Sequence, residues 1–141
     1  MKNSHDLIRL EIKSHPRYLS LVRSISFDLA RIAGFTESAA KDLRLVLDEA
    51  CTNIIKHSYH YDYTKSIIVN FHLYNDRFEV LLQDFGDKVA PSKIHSRDID
   101  EVRPGGLGVY IIKKLTDAME YDPTGDEGPR LRLVKYKDRR G

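Results

Sequence analysis

The run Leu47-Asp48-Glu49-Ala50-Cys51-Thr52-Asn53-Ile54-Ile55-Lys56-His57 carries three polar residues at a four-residue spacing: Glu49, Asn53 and His57. Helical periodicity puts all three on one side of an α-helix. A carboxylate takes up a proton, an amide oxygen holds a hard cation, and an imidazole donates to an anion. That set suits a magnesium-nucleotide site. Read alone, the plainer account of the stripe is the polar rim of an amphipathic helix. On a helical wheel it lies roughly 60° to 140° from the apolar direction, with His57 closest to the apolar side. Asp48, about 100° round from Glu49, reads as a solvated or capping charge. Lys56 reads as exposed, and Cys51 as a small buried group.

Two motifs downstream offer matching chemistry. Asp84-Phe85-Gly86 follows the apolar run from Phe78 to Leu82. A carboxylate at a strand end accepts a hydrogen bond from an exocyclic amine such as that of adenine, and Gly86 lets backbone approach a base closely. An ordinary turn uses the same residues. Further on, Arg103-Pro104-Gly105-Gly106-Leu107-Gly108 opens an apolar-periodic helix. Glycines there expose backbone N–H groups to phosphate oxygens, the helix dipole favours negative charge, and Arg103 adds a cation. The alternative is a flexible linker before a helix. It is not a Walker A loop, because no Gly-Lys-Ser/Thr follows. Lys88, Lys93, Arg97 and Arg103 make the stretch of about 87–104 either a basic lid over an anion or a solvated loop.

These groups need elements to position them. Ile8, Leu10 and Ile12 alternate with polar residues, which predicts a first strand. His15-Pro16 opens a helix with Leu19, Val22, Ile25, Leu29 and Ile32 on its apolar face, stopped by Gly34. Thr36 caps a second helix running to about Ser58, with Leu43, Leu47, Ala50 and Ile54 inward. Ser66–Tyr74 and Arg77–Gln83 form a hairpin about Asn75-Asp76. After the glycine-rich helix, Met119–Tyr121 and the segment around Leu131, Leu133 and Tyr136 read as strands. Grouped helices beside paired strands predict an α+β fold, a two-layer sandwich with a mixed, mostly antiparallel sheet and helices on one face. Strict βαβ alternation is missing, which argues against a Rossmann-type doubly wound sheet.

The 141 residues fit one domain spanning 1–141, with a charged tail at 137–141. Basic and acidic residues number 23 and 21, a net charge of +2. This balance argues against direct nucleic-acid binding. No run is long and apolar enough to suggest a membrane span or leader. The single cysteine, Cys51, rules out an intrachain disulfide and points to a reducing, cytoplasmic setting.

The three motifs in this order resemble the ATP-binding superfamily of gyrase, Hsp90, histidine kinases and MutL. Within it, Leu45-Val46-Leu47-Asp48-Glu49-Ala50-Cys51-Thr52-Asn53 and Gly105-Gly106-Leu107-Gly108-Val109-Tyr110-Ile111-Ile112 look like the small anti-sigma factor serine kinases of bacteria. The resemblance runs from about His5 to Lys137 and implies the Bergerat ATP-binding fold, with ATP and Mg2+ as cofactors. It implies that Glu49 is the general base toward a substrate serine and Asn53 the magnesium ligand. Asp84 would read adenine, with Gly86 beneath the base. Gly105, Gly106, Leu107 and Gly108 would lie along the phosphates, with Arg103 as a lid arginine and His57 at the motif's histidine position. It further implies a sigma factor and an anti-anti-sigma antagonist as partners, and a homodimer. Two departures stand out: Lys88 replaces the second glycine of the usual Asp-x-Gly-x-Gly, and Asp87 adds negative charge nearby. Neither a phosphoacceptor-histidine helix nor a transducer domain is present. A non-catalytic, nucleotide-dependent partner switch is the alternative, and Glu49 is the residue such a switch has less need of.

Overall fold

The structure, a computed structural model, describes residues 5–86, 106–123 and 128–137. The elements follow the expected order. Strand β1 (Asp6–Lys13) leads through a short 3-10 turn (Pro16–Tyr18) into α1 (Leu19–Ile32). Helix α2 (Glu37–Asn53) follows and widens into a π turn (Ile54–Ser58). Strands β2 (Ser66–Leu73) and β3 (Arg77–Gln83) form the hairpin, closed by Tyr74 N–H donating to the Arg77 carbonyl at 2.9 Å. Helix α3 (Gly106–Leu115), β4 (Ala118–Asp122) and β5 (Arg130–Tyr136) complete the chain.

The sheet order is β1-β2-β3-β5-β4. Every described pairing is antiparallel, so no parallel pair appears where the sequence left room for a mixed sheet. Strand alternation decides the two faces. Val69 pairs with Leu82 and Phe71 with Val80, while Val80 and Leu82 pair on with Leu133 and Leu131. Their shared face packs under the helices in one core with Val22, Ala30, Leu43, Leu47 and Ala50. Phe35, just beyond α1, meets Phe78 edge-on at 6.0 Å.

Helix α1 departs from its expected face. Ile32 is 74% exposed, whereas Ser26 and Ala30 are buried. The small residues let α1 lie close against α2, and the helix ends at Gly34 with φ of +101°, a conformation open to glycine. Asp48 is not a free surface charge. It bonds Arg23 of α1 at 2.9 Å and ties the two helices together. Thr36 caps α2 as expected, its hydroxyl oxygen accepting the Ala39 N–H at 3.1 Å.

The other sheet face carries a polar network. Glu79 is buried and receives Arg77 Nε at 2.5 Å and Arg132 Nη2 at 3.2 Å, while Arg132 also meets Glu120 at 3.1 Å. Burial pushes the Glu79 carboxyl up, but the two arginines outweigh it and the net shift is downward. A depressed carboxylate stabilises the fold fully above its ordinary value of 4.5 and loses that contribution as pH falls through the lowered value. Arg132→Met should therefore move the acid limb of the stability profile to higher pH, as read from urea unfolding at a series of pH values. An unmoved limb would show that Arg77 alone sets the Glu79 carboxyl.

Candidate functional site

Helix α2 delivers two of the site's side chains from within its regular part. Glu49 and Asn53 stand one turn apart and are both half-buried. Beyond Asn53 the helix widens. Tyr59 N–H reaches back five residues to the Ile54 carbonyl at 2.9 Å, the π pattern. This turn buries Ile54, Ile55 and Tyr59 together. Beyond Asn53 the four-residue spacing no longer holds, and Ser58 lines the cleft beside Asn53. His57 is half-buried outside that lining.

The cleft lies between α2, α3 and the end of the sheet. Asn53, Ala50, Ile54 and Ser58 form its α2 wall, and Val109 and Ile112 its α3 wall. Leu82 and Asp84 close the β3 side, and Met119, Tyr121, Arg130 and Leu131 close the β4 and β5 side. Its empty space is about 560 Å³ with the solvent-open mouth included. Apolar side chains dominate, with Asp84 as the buried carboxylate in the lining, which suits a flat heteroaromatic ring with a polar edge.

The Asp84 turn is fixed from several sides. Asp84 Oδ1 accepts the Gly86 N–H at 2.9 Å. Asp84 N–H donates to the Pro129 carbonyl at 3.2 Å, extending the β3–β5 ladder. Phe85 N–H donates to the Tyr59 hydroxyl. A Cβ on Gly86 would lie 3.1 Å from both the Ser58 carbonyl and Asp84 Oδ1, so the missing side chain lets the turn sit against the π turn. Gly128 has φ of +128°, and a Cβ there would overlap the Asp84 carbonyl.

Helix α3 meets α2 through another bare position. A Cβ on Gly108 would lie 2.6 Å from Glu49 Oε1 and 3.7 Å from Asn53 Oδ1. The first turn of α3 thus faces both the carboxylate and the amide of α2. Two oxygen donors beside a helix N-terminus provide for a hard cation and for phosphate in one place. With the apolar chamber beside Asp84, the residues present fit a nucleotide.

Asn53 and Asp84 line the cleft, Gly86 lies against Asp84, and Glu49 stands outside the lining, where it and Asn53 face Gly108 in the helix that Gly106 opens. Leu107 lies in the same first turn. Arg103, Gly105, Lys88 and the expected lid fall outside the described residues. Ser58, Tyr59 and Gly128 are the additions that sequence reasoning missed. Nothing local marks them: Tyr59 is one of eight tyrosines, and Gly128 sits in what reads as a plain Gly-Pro turn.

Comparison with known proteins agrees with this geometry. The histidine kinase-like ATPase domain matches residues 12–135. Serine-protein kinase RsbW of Listeria innocua is 32% identical over 96% of this chain and 90% of its own length. The serine-protein kinase RsbW of Bacillus subtilis is 28% identical over 96% of this chain and 89% of its own, and that of Bacillus licheniformis 28% over 99% and 91%. The chain belongs to the histidine kinase-like ATPase family, on the branch of the RsbW serine-protein kinases. The α+β fold and the use of a nucleotide follow from that membership.

The two close-packed glycines separate local chemistry from fold. Gly108→Ala presses on the far end of a flexible glutamate, and alanine gains about 1 kcal/mol over glycine inside a helix. Its melting temperature should hold or rise while phosphoryl transfer falls. Gly128→Ala meets backbone instead and adopts an unfavourable φ, so it should lose about 1–3 kcal/mol of stability and weaken nucleotide binding. Thermal melts paired with a transfer assay check both, and equal melting losses in the two variants would contradict the assignment.

Proposed function

We propose that the protein is an anti-sigma factor and ATP-dependent serine/threonine kinase, which phosphorylates an anti-anti-sigma antagonist in a partner-switching module. The reading is carried by one observation: the bare Cα of Gly108 faces Glu49 Oε1 and Asn53 Oδ1 together, so a base and a cation ligand share the first turn of α3. Serine kinases named RsbW along nearly the whole chain support it.

The residues divide the work. The apolar chamber takes the base, and Asp84 accepts from its exocyclic amine. The first turn of α3, from Gly106 through Leu107 to Gly108, turns backbone N–H groups and its dipole toward phosphate. Gly105 and Arg103 continue that role on the motif's assignment, and His57 takes the motif's histidine position. Asn53 offers its amide oxygen to Mg2+, which is commonly held by one or two protein oxygens together with phosphate and water. Bound Mg-ATP supplies the phosphoryl group and the charge that neutralises it. Glu49 accepts the proton of the substrate hydroxyl, and positioning supplies most of the remaining acceleration. The sigma factor, the antagonist, a homodimeric assembly and a cytoplasmic setting belong to this proposal. Among the described residues no helix is long and apolar enough to cross a membrane.

Mg-ATP should raise the melting temperature, and Asn53→Ala should abolish the magnesium-dependent part of the rise. Glu49→Gln should keep the rise and lose transfer to a serine-bearing antagonist by about 10²–10⁴-fold. An unchanged transfer rate in Glu49→Gln would remove Glu49 as the base. No transfer from the parent chain, with nucleotide bound, would leave the non-catalytic switch.

A further inference from the structure

We propose that Tyr59 is the positioning residue of the base-reading turn, its hydroxyl fixing Asp84 through the backbone of Phe85. The inference rests on the reading of Asp84 as the group that accepts from the base's exocyclic amine. The Tyr59 hydroxyl donates to the Ser66 carbonyl at 2.5 Å and accepts the Phe85 N–H at 2.5 Å. One atom thereby joins the first residue of β2 to the residue between Asp84 and Gly86. The ring is 4% exposed and belongs to the core, so the hydroxyl is carried on an anchored support.

The phenol stays in its neutral form. Burial raises its pKa to about 12, assisted by the nearby Asp84 and Asp62 charges against the opposing pull of the Phe85 N–H. A neutral phenol keeps both roles, donor and acceptor, which this position needs at once. Reaching it takes an unusual backbone. The chain arrives through the π turn and leaves through His60 and Tyr61, with φ of +48° and +67°. Two successive non-glycine residues in the left-handed region persist only where their surroundings hold them. Tyr61 N–H bonds the Ile55 carbonyl at 2.8 Å, and the Ser14 hydroxyl holds the Asp62 carbonyl at 2.6 Å. The strained exit and its restraints orient Tyr59 toward the turn, and Asp84 lies one residue from the atom that Tyr59 holds.

A general structural role would weaken every nucleotide alike. A positioning role should instead act on the amine alone. Equilibrium binding of ATP is therefore compared with that of ITP, which carries a carbonyl oxygen in place of the amine. The parent should favour ATP, and Asp84→Asn should erase the preference. Tyr59→Phe keeps the ring and removes the hydroxyl. It should weaken ATP about 10-fold, the scale of one lost buried hydrogen bond, while ITP changes far less. Equal weakening of both nucleotides in Tyr59→Phe overturns the proposal. If Asp84→Asn erases the preference and Tyr59→Phe retains it, this proposal alone fails. If the parent itself shows no preference, the reading of Asp84 fails and carries the proposal with it. Amide hydrogen exchange of the parent chain gives a measure independent of any variant: the Phe85 amide should exchange slowly, and exchange at the rate of an open turn would overturn the proposal even if Tyr59→Phe does not fold.

Discussion

The first turn of α3 can lie this close to Glu49 and Asn53 of α2 only where it gives up a side chain. Helix α3 does so at Gly108, where any Cβ would meet the Glu49 carboxylate. The phosphate and cation side of the proposed site depends on that approach. Glu49 and Asn53 come from the regular portion of α2, whose inner face is locked by Leu43, Val46, Leu47 and Ala50. Their direction is therefore set by the core and not by the cleft. Helix α3 must be brought to them, and Val109 and Ile112, both buried, bring it. The first turn of α3, with its outward N–H groups and positive dipole, then falls beside two oxygen atoms. Phosphate and cation chemistry need this juxtaposition, and neither helix provides it alone.

The second wall obeys a different constraint. The Asp84 turn hangs from the end of β3, where sheet pairing runs out and the backbone would otherwise be free to move. The chain replaces the lost ladder with contacts from three directions. Pro129 accepts the last β3-side N–H, Gly128 leaves room for the Asp84 carbonyl, and Tyr59 reaches across from the π turn. The contacts involve backbone or nearly rigid groups. The role proposed for Asp84 requires this, because discrimination by a single hydrogen bond disappears if the acceptor can drift.

Much of the fold is legible in the sequence, since it rests on local periodicity. The strand alternation of Ile8, Leu10 and Ile12, the Thr36 cap and the Asn75-Asp76 hairpin all depend on near neighbours. The misses fall where distant residues decide. Ile32 fits a helical stripe, yet Ala30 and Ser26 face the core because α2 lies close. The π turn is invisible to wheel arithmetic, which assumes a constant pitch. The burial of Ile54, Ile55 and Tyr59 in one turn overrides that pitch, and Ser58 lines the chamber. Asp48 read as solvated because Arg23 is remote in the chain. Of the proposed site, Glu49, Asn53, Asp84, Gly86 and Gly108 could be singled out by type and spacing, because the chemistry proposed for them limits the residues that can serve. Tyr59 and Gly128 were not, because they act through backbone atoms of another segment.

The arrangement also bears on why one small domain can hold a nucleotide and act on a protein. The groups proposed for base reading and for proton transfer sit at separate places: Asp84 lines the apolar chamber, whereas Glu49 stands outside that lining, against α3. Asn53 belongs to both, lining the chamber while its amide oxygen faces Gly108. Binding can thus be complete without Glu49, and losing the carboxylate need not disturb the chamber. A kinase and a nucleotide-dependent switch would share the same Asp84 wall and the same α3. They would differ at one side chain, and this chain retains the glutamate at that position.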